Sequence, residues 1–273
     1  MTDSAAPLRR VADIPSALDA FDALQARLGG RRPVIFLDYD GTLTPIVERP
    51  DLAVLSDEAR GVVGALARAL PVAVVSGRDR PDVQRLVGLD SVIYAGSHGF
   101  DVTVPGKGPL EHGAGEDFTA LLDGVAERLH AALDPIPGAL LERKKFSIAA
   151  HYRQVADADT PAFRAALDAI VAATPGIKEK PGKKVFELQP AIDWDKGKCV
   201  LFLLDALSLD DGGHVPMFFG DDVTDEDAFT ALHDRGIGVV VADDADPARR
   251  TAAHFRVADP DELIALLRRL TPA

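Results

Sequence analysis

At 273 residues, 47% hydrophobic and 27% charged, the chain is long enough for one large domain or for a core carrying an inserted lobe. A formal net charge of −13 and the lack of an 18-residue apolar run argue against a nucleic-acid partner, an anionic membrane surface and a membrane span. A single cysteine, Cys199, excludes an internal disulfide framework, and the opening residues carry no apolar leader, so the expected compartment is cytoplasmic.

In chain order, residues 13–28 are expected to form an amphipathic helix that ends at Gly29–Gly30, with residues 1–30 as a helical extension. Residues 33–38 form a continuous apolar run, as for a strand buried on both faces. A helix over 57–69, a strand over 71–75, a helix near 81–87 and a strand over 92–95 follow. This alternation predicts a parallel sheet with crossovers. The pattern then changes to a helix over 116–133, strands near 139–142 and 146–152, a helix over 161–173, and strands near 177–179 and 184–188. A twice-repeated helix–strand–strand unit predicts a small α+β lobe. After Pro190 the first pattern resumes, with helices at 196–207, 225–233 and 260–270 and strands at 215–219, 237–241 and 254–257. The expected fold is therefore α/β: a doubly wound, Rossmann-like parallel-sheet core over 31–107 and 190–273, with a cap inserted at 108–189. Eight of the nine lysines fall between Lys144 and Lys198, which concentrates positive charge in and just after that lobe.

The chemistry sits at strand ends, where an open parallel sheet binds its ligands. VIFLDYDGT carries Asp38 and Asp40 into a turn that Gly41 permits. Two acids so close call for a cation, and oxygen ligands without His or Cys point to Mg2+. A second apolar strand runs into GDDVTDEDAF, so Asp221 can reach the same edge, while Asp225 suits the start of the following helix. Ser76, in VVSGRDR, can hold a phosphate oxygen together with the N–H groups of a helix start. Lys196, in DWDKGK, can supply the point charge for a phosphate. An attacking aspartate, a second acid, a metal and a lysine together describe a phosphomonoesterase. Trp194 either stacks on a sugar or, the favoured reading, packs as an interdomain aromatic.

The ordered set D38-x-D40-G-T, Ser76, Lys196 and G-D221-D222 resembles the four motifs of the haloacid dehalogenase (HAD) superfamily of phosphatases. The further segments SGR at 76–78, GSHG at 96–99, LERKKFSIAAHYR at 141–153 and GKKVFELQP at 182–190 resemble the trehalose-6-phosphate phosphatase family. The resemblance implies Asp38 as nucleophile and Asp40 as acid/base, with Ser76, Lys196 and Asp222 completing the catalytic set. It implies Mg2+ held by Asp38, by the backbone carbonyl of Asp40 and by Asp221. It implies sugar contacts from Glu142, Lys144, Arg153, Lys183 and Glu187, and substrate contacts from Arg78 and His98, which match motif positions. The implied reaction is hydrolysis of trehalose 6-phosphate to trehalose and phosphate, the last step of trehalose biosynthesis. A sucrose 6-phosphate or mannosyl-3-phosphoglycerate phosphatase is the alternative within enzymes, and a catalytically inactive sugar-phosphate regulator the alternative outside them. The expected partner is a small sugar phosphate, and the expected state a monomer, with a dimer left open.

Overall fold

The computed structural model describes residues 6–110, 118–182, 184–243 and 248–272. The chain divides into two compact units, Met1–His112 with Trp194–Ala273, and Gly113–Asp193. The strands are β1 (Arg9–Arg10), β2 (Arg32–Leu37), β3 (Val72–Val75), β4 (Ile93–Gly96), β5 (Asp101–Val104), β6 (Gly108–Leu110), β7 (Leu140–Arg143), β8 (Ile148–His151), β9 (Ile177–Gly182), β10 (Val185–Pro190), β11 (His214–Gly220), β12 (Ile237–Val241), β13 (Arg250–Thr251) and β14 (Phe255–Val257). The α-helices are α1 (Phe21–Leu28), α2 (Asp57–Ala69), α3 (Arg80–Val87), α4 (Thr119–Leu133), α5 (Thr160–Ala172), α6 (Lys196–Ala206), α7 (Glu226–Leu232) and α8 (Pro260–Leu270).

The first unit is built on an eight-stranded sheet in the order β14-β12-β11-β2-β3-β4-β5-β6. Its strands are parallel from β14 to β4, and β5 and β6 are added antiparallel. Alternate residues of β2 serve opposite layers, as the two-residue period of a strand requires. Ile35 and Leu37 join the apolar side chains of α1, α2, α3 and α8, while Val34 and Phe36 join those of α6 and α7. A strand covered on both faces must be apolar where it is buried, which is why the run PVIFL was readable as a buried strand. This is a HAD-like core, mixed α/β with a mostly parallel sheet.

Two expectations change. The leading helix begins at Phe21 rather than at residue 13. Before it, the Pro15 carbonyl accepts from Arg256 N–H at 3.0 Å and Ala17 N–H donates to the Arg256 carbonyl at 2.8 Å. The segment is thus drawn out as an extended bridge beside β14, with Ser16 opposite Arg256, and β1 pairs with β13. Residues 9–30 are therefore part of the core unit. At the other boundary, β5 and β6 hydrogen-bond onto the main sheet, so the chain through residue 110 belongs to the core, beyond the expected break at 108.

The second unit carries a four-stranded antiparallel sheet in the order β7-β8-β10-β9. Leu122, Val125 and Leu129 of α4 and Phe163 and Leu167 of α5 bury one face against Ile148, Ala150 and Leu188. The intervening positions fall on the other face. There Glu142, Ala149, Glu187 and Lys180 are directly paired across β7, β8, β10 and β9, so Lys180 and two glutamates share one surface.

Candidate active site

Asp38 directly follows β2, and its N–H donates to the Phe219 carbonyl of β11 at 2.9 Å. This bond ties the end of one strand to the end of the next and brings the two acidic turns together. Gly41 has φ +83°, and a Cβ there would lie 2.1 Å from Asp221 Oδ2. Glycine is therefore required both for the turn and for the close approach. Thr42 Oγ1 donates to Asp221 Oδ1 at 2.8 Å.

Lys196 opens α6, where Asp195 caps the helix by accepting from Lys198 N–H at 2.8 Å. Its Nζ lies 3.0 Å from Asp38 Oδ1 and 2.6 Å from Asp225 Oδ1, and the residue is 2% exposed. Asp38, Asp221 and Asp225 each offer a carboxylate oxygen within 4.8 Å of the others. One lysine cannot balance three carboxylates. Burial pushes the Asp38 carboxyl well above the usual range, against the pull of Lys196 and helped by Asp225 and Asp221. Burial also pushes Asp221 up to about 7, with Thr42 opposing and Asp225 adding to the rise. Burial works against the Lys196 ammonium, yet Asp225 and Asp38 together raise it above an ordinary lysine. Three hard oxygen donors short of positive charge suit a divalent metal ion.

A pH dependence follows. The raised carboxyls favour the fold when protonated, so the stability of the metal-free protein falls as pH rises from the unfolded value near ~4 through about 7. A divalent cation is expected to raise Tm by more at pH 8 than at pH 5, because at pH 5 protons already relieve the repulsion. Equal metal-induced shifts at the two values would contradict this.

Asp225 plays two parts. As anticipated, it stands at a helix start, in a capping box in which Asp222 N–H donates to its Oδ2 at 2.9 Å. Its other oxygen holds Lys196 and joins the acidic cluster, a role the sequence reading did not give it. Asp222, expected in the catalytic set, is exposed, and its side chain accepts from Val223 N–H at 2.7 Å. Its carboxylate is spent on the turn and is not one of the three clustered acids.

Asp40 is held by both prongs of Arg78, with Nε at 2.7 Å and Nη2 at 2.6 Å, while Arg78 Nη1 reaches Asp82 at 2.9 Å. Arg78, expected to contact substrate, is thus engaged with two carboxylates; bidentate geometry makes it an orienting group for Asp40. Ser76 is buried, and its hydroxyl accepts from Arg78 N–H at 3.1 Å. Ser97 and His98 adopt φ of 51° and 58°, a left-handed pair stabilised by Ser97 N–H to Arg78 O at 2.7 Å and His98 N–H to Ser76 O at 2.8 Å. A Cβ on Gly77 would come within 2.9 Å of His98 Cε1, so the glycine of SGR makes room for this ring. Trp194 packs within the first unit between Phe100 and Phe202, at 6.2 and 6.0 Å, and donates to the His98 carbonyl at 3.2 Å. Its ring thus packs against two aromatic rings of the first unit.

On the second unit, Glu187 accepts from Ser147 Oγ at 2.7 Å and from Lys144 Nζ at 3.3 Å. Glu142 lies 3.2 Å from His151 Nε2, and this contact, opposed by burial and helped by Lys144, holds its carboxyl below the usual range. Arg153 is exposed on the turn after β8, and Lys183 lies outside the described residues. Ser147 and His151 were not singled out in the sequence. Their place beside the two glutamates follows from the register that sets β8 between β7 and β10.

The profile of the trehalose-phosphatase family matches residues 36–261. The chain belongs to this family. It is 41% identical over 260 residues to a probable trehalose-phosphate phosphatase of Oryza sativa subsp. japonica, covering 94% of this chain and 70% of the relative. It is 43% identical over 256 residues to an uncharacterized glycosyl hydrolase of Mycobacterium tuberculosis, covering 92% of this chain but only 19% of that protein. The chain therefore spans less than a fifth of that larger relative. Among solved structures, the C-terminal domain of a Candida albicans trehalose-6-phosphate phosphatase superposes with a TM-score of 0.76 at 24% identity, covering 94% of this chain and 98% of that one. That likeness supports the family's fold.

Proposed function

We propose that the protein is a Mg2+-dependent phosphatase that hydrolyses trehalose 6-phosphate to trehalose and phosphate through an aspartyl-phosphate. The observation that carries the chemistry is the buried Asp38, paired with Lys196 at 3.0 Å and clustered with Asp221 and Asp225. Membership of the trehalose-phosphatase family carries the substrate.

Asp38 attacks phosphorus, forming a carboxyl–phosphorus bond as the ester P–O bond breaks. Asp40 gives its proton to the departing sugar oxygen. It then takes a proton from the water that cleaves the aspartyl-phosphate. Lys196 offsets charge beside the nucleophile, and Ser76 holds a phosphoryl oxygen. Asp38, Asp221 and Asp225 would hold the metal through carboxylate oxygens, with the Asp40 carbonyl as a further donor. Bound there, Mg2+ would neutralise phosphoryl charge. We assign the sugar hydroxyls to Glu142, Lys144, Arg153, Lys183 and Glu187.

Two substitutions test these roles. Asp40→Asn is expected to slow single-turnover phosphorylation by trehalose 6-phosphate more than by p-nitrophenyl phosphate, whose phenolate leaves without a proton. Equal losses would make Asp40 a scaffold instead. Glu187→Ala is expected to cut kcat/KM for trehalose 6-phosphate by roughly 10²-fold, the loss of one or two charged hydrogen bonds at ~1.5–3 kcal/mol each. The ratio of trehalose 6-phosphate to p-nitrophenyl phosphate activity should fall with it. A constant ratio would remove Glu187 from sugar recognition and favour a sucrose 6-phosphate type of substrate.

A further inference from the structure

Ser147 stands immediately before β8 and shares a sheet face with Ala149 and His151, by the two-residue period of a strand. It is 2% exposed, and its hydroxyl donates to Glu187 Oε1 at 2.7 Å. Lys144 Nζ reaches the same oxygen at 3.3 Å. The turn that carries the serine is closed by Lys144 N–H donating to the Ser147 carbonyl at 2.9 Å, so the backbone from which the hydroxyl projects is held in place. An ammonium on a four-carbon stem is a mobile point charge. A hydroxyl on a one-carbon stem is a directional donor with little freedom left to lose. A glutamate side chain carries substantial rotamer entropy, and a ligand that had to order it would bind more weakly.

The corresponding contact on the other side of β8 is weaker. His151 Nε2 and Glu142 Oε2 are 3.2 Å apart, with side chains 35% and 56% exposed, so water competes for both groups. The serine contact is shorter and screened, and of the two it is the one able to set a carboxylate in advance of binding.

We propose that Ser147 is a positioning residue: its hydroxyl fixes the Glu187 carboxylate on the sheet face in the orientation that receives the sugar hydroxyls. The role rests on the assignment of Glu187 to the sugar. Ser147 acts only through Glu187, so its effect belongs in KM more than in kcat.

The test is a double-mutant cycle on the full chain with Mg2+, reading kcat/KM for trehalose 6-phosphate as a ratio to p-nitrophenyl phosphate. Ser147→Ala is expected to lower that ratio about tenfold, the size of one lost hydrogen bond to a charged group, mainly through a higher KM. The double variant Ser147→Ala/Glu187→Ala should match Glu187→Ala within about twofold, because the serine has nothing left to position. Ser147→Cys keeps the side-chain volume and weakens the donor, so it should lower the ratio in the same direction even if alanine disturbs folding. If Glu187→Ala lowers the ratio while neither serine variant does, the positioning role is overturned alone. Additive losses in the double variant overturn it too, because Ser147 would then act independently of Glu187. If Glu187→Ala leaves the ratio unchanged, the sugar assignment of Glu187 falls and the proposal falls with it.

Discussion

Asp38→Asn is expected to lower turnover by at least ~10³-fold on every phosphate ester, sugar or not, because the amide is nearly the same shape but cannot attack phosphorus. The variant should remain folded. Asn keeps an oxygen near Lys196 Nζ, which stands 3.0 Å from Asp38 Oδ1. It also removes a charge whose burial is already unfavourable. Circular dichroism and Tm would check the fold, and phosphate release the chemistry. A variant that keeps more than about a tenth of wild-type turnover would remove Asp38 from the nucleophile's role.

Lys196→Met should do the opposite, damaging the fold as well as the chemistry. The ammonium lies between Asp38 and Asp225, which are 6% and 0% exposed. Removing one partner of a buried ionic cluster costs roughly 3–5 kcal/mol. For a chain of this size that corresponds to a Tm lower by roughly 6–20 °C. The loss should be largest above neutrality, where the Asp38 carboxyl must be charged. It should shrink near pH 5, where a proton can replace the missing cation, since the folded-state Asp38 carboxyl titrates above its ordinary range. An unchanged Tm at pH 8 would mean that Lys196 does not stabilise the cluster.

The parts of this architecture legible in the sequence are those with local chemical signatures. PVIFL had to be a doubly covered strand because it is apolar without alternation, and the acids after it had to sit at its carboxyl end. The same logic placed Asp221 after VPMFFG and Lys196 at a helix start. Long-range pairing was not legible. Nothing in residues 13–20 announces that Ser16 lies opposite Arg256, and helical propensity lost there to hydrogen bonds with a segment about 240 residues away in sequence. β5 and β6 are short and polar-flanked, and their place on the sheet edge depends on β4 being available to pair.

The site shows the same division. The D-x-D-G-T turn was readable, but its glycine turned out to be fixed also by contact with Asp221, 180 residues on. Asp225 was read as a carboxylate at a helix start, where it stands. Its second role follows only from the fold placing Lys196 against it. Arg78 was assigned to substrate by its motif, whereas its guanidinium forks onto Asp40 and Asp82. Ser147 and His151 acquire meaning only from the register that sets β8 between Glu142 and Glu187.

The most direct measurement is phosphate release from trehalose 6-phosphate beside glucose 6-phosphate and sucrose 6-phosphate, each with Mg2+ and with EDTA. The account predicts fast Mg2+-dependent release from trehalose 6-phosphate, release from the other two lower by at least about tenfold, and none with EDTA. Preference for sucrose 6-phosphate, or undiminished release in EDTA, would contradict it.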